Sequence, residues 1–258
     1  ARLENLNWLE SPEALDFIYQ NFQNLDRLNF LGGEPLLIKK HFLLLQKCVE
    51  LGFAKNIDLQ YNSNMNHLPT ELKFLWKNFK SIEVNLSVDG LGPLNEYIRY
   101  PLSWSDWTEK VQELCSWRNE IDLRLSFHCT FQALNATHLN DFYFWCWRFG
   151  SENALPRVPF MIYVTQPHYL DPRHMPDSLK SLVVKNHEIY FEFLRDKRLL
   201  DSEKSWLSMV RGHLNTISQP NSASPAQWSK FIENTKKLDS FRKQNILRVL
   251  PELADYFS

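Results

Sequence analysis

Strand-length apolar runs alternate with helix-length periodic segments through most of this chain, and that alternation limits the folds open to it. A first helix is expected from Ser11-Pro12-Glu13, with Ser as cap, Pro in the first helical position and an acid in the first turn. Leu15, Ile18, Tyr19, Phe22 and Leu25 follow at helical spacing. LNFL (28–31) then reads as a short buried strand that stops at Gly32-Gly33. The expected series continues with a helix over 35–51, a strand over 57–64, a helix over 69–79 and a strand over 82–88 ending at Asp89-Gly90. After it come a helix over 104–117, a strand over 121–132, an aromatic-rich helix over 138–150, a strand over 159–165 and a helix over 177–194.

Strands that alternate with helices of this length imply right-handed crossovers and parallel pairing. No G-x-G-x-x-G follows any strand and no G-x-x-x-x-G-K-[ST] occurs, so a partial (β/α) barrel fits better than a doubly wound nucleotide-binding fold. Beyond Arg198 the pattern changes to helical segments at 204–210 and 227–246, separated by a Pro/Ser-rich stretch at 219–226. The expected organisation is a partial barrel over 1–198 and a helical C-terminal extension over 199–258.

Charge narrows the partners. Lys and Arg number 29 against 30 Asp and Glu, which argues against a surface built to neutralise phosphates or a polybasic membrane tether. With 44% hydrophobic residues the chain can bury a sizeable core. No apolar run approaches a bilayer span, and ARLENLNWLE has no signal-peptide layout. Cys48, Cys115, Cys129 and Cys146 match no zinc or cluster spacing, and a reducing cytoplasm with free thiols is expected.

Parallel α/β folds place their chemistry at the C-terminal ends of the strands. There the sequence offers Gly32-Gly33-Glu34-Pro35, then Asn62-Ser63-Asn64, then Ser87 and Asp89-Gly90, then His128, Thr130, Gln132 and Asn135, and last Thr165, Gln166 and His168. Only 7 of 258 residues are glycine, so the adjacent pair at 32 and 33 stands out as backbone open to a ligand. Glu34, set by Pro35 at a helix start, can accept from an ammonium group; the plainer reading is a favourable first-turn acid. Ser87 and Asp89 lie two apart, on one strand face, and suit a ribose diol or an amino acid's polar groups. A simple turn at Asp89-Gly90 is their alternative, as local turn bonds are for Asn62 and Asn64.

LNFLGGEPLLIKKHFLLLQKCVELGFAKNIDLQYNSN, followed by VNLSVDGLGPLNEYIRYP, resembles the radical S-adenosylmethionine (radical SAM) superfamily, most of all its twitch-domain branch. The match runs over about 11–170, and a weaker likeness continues through PHYLDPRHMP and WSKFIENTKKLDSFRKQNILRVLPEL (228–253). The resemblance implies that Gly32, Gly33 and Glu34, with Pro35, hold the amino group of S-adenosylmethionine. It places Asn62 and Asn64 beside the cofactor and Ser87 and Asp89 at its ribose or methionine part. It offers Arg99 as a partner of its carboxylate, and Asn135 as a fainter match. The family's C-x3-C-x2-C loop, which ligates a [4Fe–4S] cluster, is not in the sequence, and neither is the strand before it. The expectation is therefore the SAM-binding remainder of a radical SAM enzyme, truncated, inactive in this form, with no metal site and no cofactor bound. In the intact relatives a 5′-deoxyadenosyl radical removes a hydrogen from a peptide or small-molecule substrate. The alternative is a cluster-free scaffold that binds a peptide or protein partner at the same strand ends.

Other chemistries lack their motifs. There is no H-E-x-x-H and no G-x-S-x-G. The FYFWCWRF stripe reads as helix packing rather than base stacking, since only Arg148 is basic nearby. One further expectation concerns the strand at 28–31: without a preceding strand, its open edge invites self-association or coverage by 1–10 or by 199–258.

Overall fold

The structure is a computed structural model and describes residues 12–219 and 223–257. Five strands form one open parallel sheet in the order β1-β2-β3-β4-β5, with β1 Arg27–Phe30, β2 Asp58–Ser63, β3 Ser81–Ser87, β4 Leu123–Phe131 and β5 Phe160–Tyr163. Helices α1 (Pro12–Asn21), α2 (Lys39–Glu50), α3 (Glu71–Trp76), α4 (Gly92–Ile98), α5 (Trp104–Trp117) and α6 (Leu139–Asn153) fall around the strands in chain order. Beyond β5 lie α7 (Asp177–Leu194), α8 (Asp201–Ile217) and α9 (Pro225–Arg242). This is the partial (β/α) barrel expected, with C-terminal helices, and the sheet does not close. The expected Ser11 cap and the 1–10 segment lie outside the described residues.

The chain divides into two compact units, one of residues 1–87 with 106–126 and one of 88–105 with 127–258. In the first, period-two alternation sorts the strands into two faces. Leu28, Leu59 and Ile82 form one rung of the apolar face, and Phe30, Tyr61 and Val84 the next. Trp76 of α3 and His41 of α2 pack on Tyr61, whose hydroxyl accepts from Trp76 Nε1 at 3.2 Å and lies 2.8 Å from His41 Nε2. The opposite face is polar and bonded within itself. Gln60 Nε2 donates to Glu83 Oε1 at 3.1 Å, Asn85 Nδ2 to Asn62 Oδ1 at 2.8 Å, and Ser126 Oγ to Asn85 Oδ1 at 2.9 Å.

The second unit packs aromatics. The α6 stripe is the helix packing the sequence implies: Tyr143 meets Trp206 and Tyr190, Trp145 meets Phe127 and Phe149, and Arg157 stands over Trp147 at 4.1 Å. Arg157 is also anchored by Glu203 through two 2.6 Å bonds.

Several elements differ in extent from their expected bounds. The helix over 35–51 begins as a separate 3-10 turn, Pro35–Leu37, because Ile38 is extended. The 69–79 segment keeps only six helical residues, and the 227–246 helix ends at Arg242, with Lys243 left-handed at φ 54°. Leu25 falls beyond the first helix, after a 3-10 turn. Helix α4 has no counterpart in the expected series, and α8 is longer than its expected 204–210.

Candidate functional site

The first unit gathers its polar strand ends around Glu34. Gly32 stands at φ +87°, a backbone conformation that glycine adopts without strain, and turns the chain out of β1. Gly33 has an ordinary φ, and a Cβ there would meet nothing within 4 Å. Neither conformation nor packing therefore explains Gly33, whose backbone faces open space. Glu34 then caps the Pro35–Leu37 turn by accepting from Leu36 N at 3.3 Å. Its carboxylate also reaches the end of β2: Ser63 Oγ donates to Oε1 and Asn64 N to Oε2, both at 2.8 Å. Glu34 stays half-buried; Oε1 already accepts from both Leu36 N and Ser63 Oγ, while Oε2 accepts one bond and keeps a lone pair for a further donor.

Asn62 and Asn64 part company here. Asn62 sits on the exposed polar face and accepts from Asn85. Asn64 Oδ1 accepts from Asn66 N at 3.0 Å, a local turn bond, while its backbone amide serves Glu34. Ser63, which sequence reasoning passed over between two asparagines, is buried and makes the side-chain contact with Glu34. Ser87 is half-buried as the last residue of β3.

The second unit gathers around Asp89. Its amide donates to Asn95 Oδ1 of α4 at 2.8 Å. Its carboxylate pairs with Arg99 Nη2 at 2.9 Å and accepts from Thr130 N at 2.7 Å. Asn135 closes the ring, donating to the carbonyls of Asp89 and Thr130 and accepting from Gln132 N. Asp89 is 4% exposed, and Asn95 and Asn135 are fully buried. Burial pushes the Asp89 carboxyl up, against the pull of the Arg99 guanidinium and the Thr130 amide. Two donors stay unpaired among these groups, Arg99 Nε and Asn95 Nδ2. At the end of β5, Gln166 Nε2 and His168 Nε2 lie 2.8 Å apart and exposed.

The residues fit S-adenosylmethionine in part. Gly33 and Glu34 offer open backbone and a carboxylate whose Oε2 has a spare lone pair, suited to an ammonium group. Asp89 and Asn135 are buried and already bonded within the protein. The residues do not fit an iron–sulfur cluster. Among the described residues no three His, Cys, Asp or Glu side chains stand together as a ligand set. Burial raises every thiol, Cys48 to about 11 and Cys129 and Cys146 well above the usual range, away from the thiolate that iron requires.

No protein-family model and no curated protein matches the sequence. Among solved structures the chain is similar to Streptococcus suis SuiB bound to S-adenosylmethionine, with 16% identity and a TM-score of 0.43 over 70% of this chain and 39% of that one. It is also similar to native anSMEcpe with bound AdoMet and Cp18Cys peptide, with 17% identity and a TM-score of 0.47 over 71% of this chain and 51% of that one. The chain thus spans between about two fifths and half of those proteins. At these identities and TM-scores the likeness is partial, and the functional reading rests on the residues themselves.

Proposed function

We propose that this chain is the S-adenosylmethionine-binding portion of a radical SAM-type barrel, of the twitch-domain branch, and that it has no radical chemistry of its own. The observation that carries the reading is Gly33. It is a glycine, in a chain with only 7, at a position where neither backbone angle nor packing calls for one. Beside it Glu34 is held in place by Ser63, Asn64 and Leu36 N, with one lone pair left on Oε2. Glu34 and the adjacent backbone bind and orient an ammonium group. When bound to a reduced cluster in a complete enzyme, the cofactor supplies a hydrogen-abstracting radical. This chain's described residues hold no ligand set for that cluster. A substrate, peptide or small molecule, belongs to that complete enzyme. The rival, a cluster-free scaffold for a peptide partner, draws support from Asp89 and Asn135 being buried and bonded within the protein.

Without metal chelation only hydrogen bonds and ring packing remain, so the dissociation constant is expected to be weaker than ~100 μM, no better than about −5.5 kcal/mol. The test is amide chemical-shift mapping at millimolar S-adenosylmethionine. Shifts at Gly33, Glu34 and Asn64 that vanish in Gly33→Val support the reading. Absence of shifts there, or shifts unchanged in Gly33→Val, would sink it. Low-micromolar affinity by calorimetry would refute the claim that binding is weak.

A further inference from the structure

The loop after β4 is held by residues more than a hundred positions away. Thr137 Oγ1 donates to Glu252 Oε1 at 2.6 Å, and His138 Nε2 lies 3.0 Å from the same oxygen. Glu252 belongs to the 3-10 helix Pro251–Tyr256, seated by the buried Leu253. From α7, Asn186 Nδ2 donates to Thr137 O at 2.6 Å. The short turn Ala136–His138 is thus bracketed by α7 and by the C-terminal segment. Asn135 is the residue just before this turn, and it is Asn135 that bonds the carbonyls of Asp89 and Thr130.

The bond at this junction is between a base and an acid. The carboxylates facing His138 are Glu252 at 3.0 Å and Asp141, three residues on in α6, at 3.7 Å. The Glu252 bond raises the pKa of His138, with Asp141 adding to it and burial opposing. Burial pushes Glu252 up, but the bonds from His138 and Thr137 outweigh it and hold its carboxyl below the usual range. A second tie from the C-terminal region titrates no histidine. Asp239 of α9 accepts from Tyr97 Oη at 2.9 Å and from Ile246 N at 2.9 Å, and Arg242 Nη1 donates to Tyr97 O at 3.1 Å. That tie holds α4, two residues from Arg99.

We propose that Glu252 is a positioning residue, and that its contact with protonated His138 is a clamp by which the C-terminal segment fixes the Asn135 turn and, through it, the Asp89 cluster. A charge-assisted bond is roughly twice as strong as a neutral one. When His138 loses its proton the clamp keeps at most a neutral bond, and the turn opens more often. This goes beyond the cofactor reading and needs no ligand.

The test is hydrogen exchange on the full chain, corrected for the intrinsic pH dependence of exchange, at the amides of Thr130 and Gln132. These amides donate to Asp89 and Asn135. Protection should fall about tenfold between acid and alkaline pH across the His138 titration, as one charge-assisted bond is weakened. In Glu252→Gln it should be low and flat, in Glu252→Asp the pH dependence should partly return, and in Asp239→Asn the profile should keep its shape. Should Glu252→Gln fail to fold, the NMR titration of His138 in Glu252→Asp decides, since a weaker contact must lower its midpoint. Equal profiles in the parent and Glu252→Gln, or an unmoved His138 midpoint in Glu252→Asp, would overturn the proposal.

Discussion

The two units finish their strands in opposite ways. In the first, Glu34 is half-buried, joins β1 to β2 through Ser63 and Asn64, and lies next to a glycine with open space around it. In the second, Asp89 is buried and meets a guanidinium, a backbone amide and a capping asparagine. Both acids follow a strand at the position where parallel folds keep their ligands. Their surroundings separate their roles. A half-buried acid with a spare Oε2 lone pair can take a ligand's donor. A buried one, bonded to the protein around it, holds its own loop in shape. The resemblance that assigns both to one cofactor groups residues whose physical tasks here are distinct.

The contrast breaks most readily by deletion. Asp89→Ala leaves the Arg99 guanidinium, 21% exposed, without its partner and strands the Thr130 amide. Removing one member of a buried pair costs roughly 3–5 kcal/mol. Glu34→Ala removes bonds that water can replace at a half-buried site, for about 1–2 kcal/mol. Urea unfolding of the two variants beside the parent measures both. Equal losses would mean that Glu34 is as structural as Asp89, and the distinction would fall.

Acid should strike both units together, because each buries a neutral histidine. Burial pushes His41, in the first unit, and His187, in the second, down to about 4. An unfolded histidine titrates near 6.5. Between those values the unfolded chain binds more protons, so stability rises with pH across this window. It is fully present above about 6.5 and lost as pH falls towards 4. Each histidine accounts for something on the order of 2–3 kcal/mol. His138 has the opposite sign: its raised value adds stability at pH below about 6.5, lost as pH rises through its folded midpoint. Denaturation at pH 4.5 and 7.0 checks this, with His187→Phe expected to remove about half of the difference. A parent whose stability is unchanged between the two pH values would contradict both burials.

The order of strands was legible because period-two runs such as IEVNLSV and helical stripes such as α5 and α7 bury one face each, and burial is what sequence pattern encodes. Helix α4 was not, since it opens on Gly92-Pro93 and its fully buried member is Asn95, a polar residue placed there to cap Asp89. Glu34 was legible from its neighbours in sequence. The bonds of Ser63, Thr130 and Glu252 were not, because they reach residues 29, 41 and 115 positions away. A single sequence gives the side chain's chemistry and leaves its distant partner unnamed.

The smallest expected effect concerns the open edge of the first unit. Among the described residues no strand pairs with the outer side of β1. Asp58 N bonds Asp26 O, and Arg27 aligns with Asp58. In that parallel register Leu28 and Phe30 direct their backbone groups to β2, and Arg27 and Asn29 direct theirs outward. The Phe30 ring is no part of the edge. It stacks on Tyr61 at 4.9 Å and meets His41 at 4.5 Å, so a charge there would damage the core before it tested association. Asn29→Pro is the better probe, because it removes an outward amide and leaves the β2 ladder intact. An unpaired edge of four residues, with Arg27 charged and Asn29 polar, is a modest template for a second chain. Weak self-association is therefore expected, visible by light scattering at high concentration and reduced in Asn29→Pro. If the parent stays monomeric while hydrogen exchange finds the Asn29 amide open to solvent, the edge is tolerated unpaired. The exposed character of the first unit would then extend from its acid to its sheet edge.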